Sequence, residues 1–146
     1  MAKIVIVDDD GALRNDIADM LSDCGHKVFQ AADGRQGFAV IEKFRPDLVL
    51  SDIKMPHESG FDLVKRVTEG GAKYANMPFL FMSAIATPDA ARYGRQCGAD
   101  DFIAKPIDYR VLKKKIDSSL RRKNSVGARF LSFFGFRAGL STTSTQ

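Results

Sequence analysis

Three unbroken apolar runs, Ile4-Val5-Ile6-Val7, Leu48-Val49-Leu50 and Phe79-Leu80-Phe81-Met82, constrain this chain more than any other feature. A strand with one wet face alternates apolar and polar residues, whereas a strand covered on both faces reads as continuous apolar sequence. The runs therefore predict the buried centre of a parallel sheet with helices on both sides. Two further strands complete the set, so the expected strands are Ile4–Val7, Lys27–Ala31, Leu48–Ser51, Phe79–Ser83 and Phe102–Ala104. The mixed sequence Lys27-Val28-Phe29-Gln30-Ala31 suits an edge.

Helical patterns separate the strands. Leu13, Ile17, Met20 and Leu21 recur at helical spacing until Cys24-Gly25, and Phe38, Ile41 and Phe44 do so until Arg45-Pro46. Phe61, Leu63, Val64 and Val67 mark a third helix that ends near Gly70-Gly71, with Glu69–Asn76 expected as a Gly-rich loop. Thr87-Pro88 supplies an N-cap and an N1 proline for a fourth, which stops at Gly98. A fifth starts at Asp108 and runs through Val111, Leu112, Ile116 and Leu120. The expected domain is 1–122. Residues 123–146 read as a flexible tail, basic and aromatic first and then Ser/Thr-rich, because Gly127, Gly135 and Gly139 disfavour a helix.

Net charge is +4, but nine of the 22 basic residues and one of the 18 acidic ones lie in 110–146. The body of the protein is therefore acidic, so direct DNA binding is not expected. Phe130, Phe133 and Phe134 between Arg129 and Arg137 admit a membrane-surface contact as a secondary reading of the tail. Asp8-Asp9-Asp10 arrives too early for a signal peptide, and no apolar run reaches the ~20 residues of a membrane span. Cys24 and Cys97 lack metal-type spacing and read as reduced thiols, which points to the cytoplasm.

In an open α/β sheet, ligands bind beyond the carboxyl ends of the strands. Here those ends carry Asp8-Asp9-Asp10, Asp52, Ser83 and Lys105-Pro106, while Asp33-Gly34 after the second strand reads as a turn. Gathered carboxylates repel one another unless a cation is bound, and oxygen ligands suit a hard ion such as Mg²⁺. A lysine and a hydroxyl nearby match the charge and hydrogen-bonding needs of a phosphoryl group. The residues alone thus point to Mg²⁺-assisted phosphoryl chemistry.

Four segments in this order resemble response-regulator receiver domains: Val5-Ile6-Val7-Asp8-Asp9-Asp10, Asp52-Ile53-Lys54-Met55-Pro56-His57-Glu58-Ser59-Gly60, Phe81-Met82-Ser83-Ala84, and Gly98-Ala99-Asp100-Asp101-Phe102-Ile103-Ala104-Lys105-Pro106. The resemblance covers residues 3–122. It implies a flavodoxin-like, doubly wound α/β fold with a five-stranded parallel sheet in the order 2-1-3-4-5 and five helices. It also implies a single receiver without an output domain, similar to chemotaxis regulators. Asp52 would be the nucleophile, accepting a phosphoryl group from a sensor histidine kinase or phosphotransfer protein in a two-component system or phosphorelay. Asp9, Asp52 and the main-chain carbonyl of Lys54 would hold Mg²⁺, with Asp8 acting through water. Lys105 would bind a phosphoryl oxygen, Ser83 would follow the phosphoryl group, and Phe102 would rotate inward, passing the signal to a protein partner. Such a protein promotes its own phosphorylation and its own slow dephosphorylation without being a turnover enzyme. Lys54 and Ile85 would flank the approach of hydrolytic water. Phe102 stands where the family often has tyrosine, so a hydroxyl readout is not available.

Two other readings are open. Asp8-Asp9-Asp10-Gly11-Ala12-Leu13 has the Asp-x-Asp-Gly-x-Leu character of haloacid-dehalogenase phosphatases, with Asp8 as nucleophile. A degenerate receiver acting only as a docking module is the second. Plainer roles are expected elsewhere: Asp10 as a helix cap, His26 and His57 as surface residues, Lys113–Lys115 as a solvated face, and Met20, Met55, Met77 and Met82 as packing.

Overall fold

The computed structural model describes the backbone of residues 1–136 except Ala86, and side chains as far as Lys123. Five strands, β1 (Lys3–Val7), β2 (Lys27–Ala31), β3 (Leu48–Asp52), β4 (Phe79–Ser83) and β5 (Asp101–Ala104), alternate with helices α1 (Gly11–Asp23), α2 (Gly34–Phe44), α3 (Gly60–Thr68), α4 (Pro88–Cys97) and α5 (Tyr109–Phe136). All pairings are parallel and the strand order is β2-β1-β3-β4-β5. This is the doubly wound order expected from the sequence, with β2 at the edge.

The apolar runs divide residue by residue between two layers, because successive side chains of a strand point to opposite faces. Ile4, Ile6, Leu48, Leu50, Leu80 and Met82 pack with Ile17 and Leu21 of α1 and Leu112 and Ile116 of α5. Val5, Val7, Val49, Phe79 and Phe81 pack on the other side with Ile41 of α2, Leu63, Val64 and Val67 of α3, and Cys97 of α4. The three central strands are buried on both faces, so they meet solvent only at their ends. That restricts polar chemistry to the strand termini.

Local capping sets where each helix begins. Asp10 accepts from the Leu13 N–H, Ser59 from Asp62 within a full capping box, and Thr87 from Ala90. Asp33, read above as a turn residue, is instead the buried N-cap of α2, accepting from the Gln36 N–H. Asp108 caps α5 through the Arg110 N–H at 2.9 Å. The expected Gly-rich loop contains a 3₁₀ turn over Gly71–Tyr74. Tyr74 pins it, with its ring buried in the second core layer and its hydroxyl donating to Glu42.

Three further expectations are corrected. Helix α5 does not stop near 122 but continues to Phe136. No proline interrupts it, and extending an existing helix adds a hydrogen bond per residue without a new nucleation cost. His26 is half-buried rather than a plain surface residue, because its Nδ1 accepts from the Ala2 N–H at 3.1 Å. Burial and the nearby N-terminal ammonium hold its pKa below the ordinary value. Lys115 is not merely solvated, since its Nζ lies 3.1 Å from Asp101 of β5. Among the described residues no helix is long and apolar enough to cross a membrane. The Ser/Thr-rich end of the expected tail, with Arg137, lies outside the described residues.

Candidate functional site

The carboxyl end of β1 delivers Asp8, which is completely buried. Its Oδ1 accepts from the Asp10 N–H at 2.9 Å and its Oδ2 from Lys105 Nζ at 3.0 Å. The neighbouring strand β3 delivers Asp52, 7% exposed, whose Oδ1 accepts from the Ile53 N–H at 2.8 Å. Its Oδ2 lies 3.3 Å from Lys105 Nζ. Asp9, exposed beside them, completes a triad in which one carboxylate oxygen from each residue lies within 4.8 Å of the others. Asp10 turns away to cap α1, as expected. Lys105 reaches in from the end of β5, where its backbone N–H is held by the Ser83 carbonyl at 2.8 Å and a cis bond joins it to Pro106.

One ammonium thus serves two buried carboxylates. Burial pushes the Asp52 carboxyl above its ordinary range and the charge of Asp8 pushes it further, while Lys105 and the Ile53 N–H only partly counter them. Burial works against the Lys105 ammonium, but its bond to Asp8 and the charges of Asp52 and Asp8 outweigh it and raise the pKa. Besides burial, the charge of Asp8 acts on both groups, and a single ammonium stands against the two buried carboxylates. Three hard oxygen donors with surplus negative charge, one of them open to solvent, fit a divalent cation that keeps several waters.

Ser83 ends β4, with its hydroxyl buried at the rim of the same strand edge and accepting from the Ile85 N–H at 3.0 Å. Among the described residues that hydroxyl makes no hydrogen bond to Asp52 or to the Lys105 ammonium. Phe102 is half-buried and packs edge-on against Phe81, with ring centroids 6.4 Å apart. Lys54 is exposed, and Ile85 is 57% exposed. Asp100, part of the motif that precedes Phe102, lies at the opposite end of the sheet, where its carboxylate accepts from the Phe79 N–H at 2.8 Å.

Arg14 was not singled out in the sequence. Its Nη1 donates to the Asp8 carbonyl and its Nε to Gln30 Oε1 at 2.8 Å. It braces the segment that carries the acidic pair. Its place four residues after Asp10, in the first turns of α1, is the signal that could have found it.

This fold and this strand-end site define a known class. The chain belongs to the response regulator receiver domain family, whose family model matches residues 4–117. It is 33% identical over 120 residues to the protein PilH of Pseudomonas aeruginosa, covering 82% of this chain and 98% of that one. It is also 33% identical over 146 residues to the transcriptional regulatory protein CiaR of Streptococcus pneumoniae. The chain spans 63% of CiaR, and 52% of the transcriptional regulatory protein AfsQ1 of Streptomyces coelicolor. Among solved structures, the chemotaxis response regulator CheY4 of Vibrio cholerae aligns with a TM-score of 0.77 at 34% identity, over 82% of this chain and 98% of that one.

Proposed function

We propose that this protein is a phosphorylation-dependent signalling switch in which Asp52 accepts a phosphoryl group from the phosphohistidine of a sensor kinase or phosphotransfer protein. The observation that carries the reading is the shared Lys105 ammonium between Asp8 and Asp52, with Asp52 left the more open of the two. An Asp52 oxygen attacks phosphorus, the donor's nitrogen–phosphorus bond breaks, and the imidazole leaves and takes up a proton. Lys105 neutralises a phosphoryl oxygen as the acyl phosphate forms. Mg²⁺, held by Asp9, Asp52 and the Lys54 carbonyl with Asp8 acting through water, would supply charge neutralisation on the phosphoryl oxygens. Ser83 then turns to the phosphoryl group and Phe102 moves inward, which changes the surface offered to a protein partner. Asp8 suits the phosphatase reading poorly, because it is fully buried and both its oxygens are engaged. The complete set of acids, hydroxyl and lysine likewise gives no support to a degenerate docking module.

Incubation with Mg²⁺ and acetyl phosphate should yield an acid-stable, base-labile acyl phosphate, because the attacking group is a carboxylate. Peptide mapping should place it on Asp52. Label on Asp8 would overturn this reading in favour of the phosphatase.

The metal assignment has its own test. Asp9→Ala should weaken Mg²⁺ binding about tenfold or more in a calorimetric titration, since few direct ligands anchor a hydrated site of this kind. An unchanged affinity would remove Asp9 from the ligand set.

Lifetime follows from the two residues that flank the site. Exposed Ile85 cannot orient a water, and a charged Lys54 offers donors but no acceptor. The acyl phosphate should therefore persist. Ile85→Glu should shorten its half-life by roughly tenfold in a phosphate-release assay, less than the ~10²-fold of a fully positioned general base. Rapid decay of the parent protein that Ile85→Glu leaves unchanged would show that this path does not control the lifetime.

A further inference from the structure

The rings beside Phe102 continue away from the site and reach the surface at the α3–α4 seam. Phe102 meets Phe81 edge-on, at 75° between ring planes. Phe81 is fully buried and meets Phe61 of α3 edge-on, with centroids 5.4 Å apart at 82°. Phe61 in turn meets Tyr93 of α4 at 4.7 Å and 79°. Tyr93 is 44% exposed, and its hydroxyl accepts from Lys65 Nζ of α3 at 3.1 Å. Four aromatic side chains from β5, β4, α3 and α4 thus stand in unbroken contact, ending in a polar latch between two helices.

Phe81 has little freedom to absorb a push from Phe102. Phe79 lies against it at 5.4 Å and 77°. On the α4 side the backbone approaches so closely at Gly94 that a Cβ there would stand 3.1 Å from two atoms of the Phe81 ring. Packed interiors hold few voids, so a displaced ring must be matched by its neighbours, and edge-to-face pairs resist arbitrary tilts. Phe61, only half-buried, is the member with room to move.

We propose that the Tyr93–Lys65 latch is a second output of the switch, driven from Phe102 through Phe81 and Phe61. This rests on the reading of Asp52 as phosphoacceptor. When Phe102 turns inward, Phe81 tips against Phe61, Phe61 displaces the Tyr93 ring, and the hydroxyl leaves the Lys65 ammonium. The signal then emerges between α3 and α4 as well as around Phe102 itself.

The test uses the full chain with tyrosine rings and backbone amides isotopically labelled, followed by NMR before and after phosphoramidate is added with Mg²⁺. In the parent protein the Tyr93 ring and Lys65 amide should shift together with the Phe102 amide. Phe61→Leu, which keeps an apolar side chain but removes the ring, should cut the Tyr93 response about twofold or more while the Phe102 response remains. Phe61→Tyr keeps the ring and should restore it. A silent Tyr93 beside a responsive Phe102 would overturn the inference and leave the switch intact, as would a Tyr93 response undiminished by Phe61→Leu. Silence at Phe102 in the phosphorylated parent would overturn the switch reading and this inference together. A silent Tyr93 in the phosphorylated parent overturns the inference whether or not Phe61→Leu folds.

Discussion

Asp52→Asn should take up no phosphoryl group from acetyl phosphate and, without Mg²⁺, should melt at a higher temperature than the parent at pH 7. Loss of labelling is complete because an amide oxygen offers no carboxylate lone pair for a stable acyl phosphate, and Asp8 is buried with both oxygens engaged. The gain in stability follows from the Asp52 pKa, which burial and the charge of Asp8 hold above its ordinary value of 3.8. A carboxyl with a folded pKa above its unfolded one opposes folding when ionised. The cost is fully present above the raised folded value and disappears as pH falls to the unfolded value and below. The neutral amide removes it. The difference in melting temperature between the variants should therefore be largest near neutral pH and vanish at about pH 4 and below, near the ordinary value. Residual base-labile label in Asp52→Asn would mean that another carboxylate is the acceptor. A lower melting temperature at pH 7 would mean that the Lys105 contact outweighs burial and repulsion.

Gly60→Ala should destabilise the fold by about 3 kcal/mol and lower the melting temperature by roughly 10 °C. A Cβ at this position would stand 2.3 Å from the carbonyl oxygen of Asp52, 3.0 Å from the Cα of Ile53 and 3.0 Å from the ring of Phe81. Two of these obstacles are backbone, so no rotamer change relieves them. The Gly60 N–H donates to the Ile53 carbonyl at 2.7 Å, which draws the start of α3 against the loop that carries the phosphoacceptor. Pushing that loop away moves Asp52 relative to Lys105, and phosphorylation by acetyl phosphate should slow in the same variant. A melt within about 2 °C of the parent would show that the segment from Ile53 to Ser59 yields easily. Gly60 would then be a turn residue and not a spacer for the site.

The parallel sheet was legible because its signal is local and redundant. Continuous apolar runs at Ile4–Val7 and Phe79–Met82 can satisfy both faces only in the middle of a covered sheet, and the intervening helical periods and caps at Asp10 and Thr87 agree with them. The strand ends likewise offer Asp8, Asp9, Asp52, Ser83 and Lys105 as candidates, and the fold gathers Asp8, Asp9, Asp52 and Lys105 into one cluster. Where local signals were weak or mixed, the sequence misled. Glycines at 70 and 71 suggested an open loop, yet the buried ring of Tyr74 and its bond to Glu42, 32 residues away in sequence, fold the segment into a 3₁₀ turn. Asp33 read as a turn because the helix it caps begins with Gly34, a poor helix former.

Residue types and their spacing determined the fold class, the strand order through family resemblance, and the chemistry gathered at one edge of the sheet. Tertiary structure alone decided how that charge is shared. Lys105 lies 97 positions from Asp8 in sequence, and only the parallel pairing of β5 with β4 sets it at the same end of the sheet, where its ammonium reaches two carboxylates. Tertiary structure also decided that Arg14 braces the acidic segment and that four aromatic rings from separate elements touch in series. Burial and hydrogen-bonding distance depend on contacts between residues remote along the chain, whereas hydrophobic period and helix caps are written in the few residues on either side.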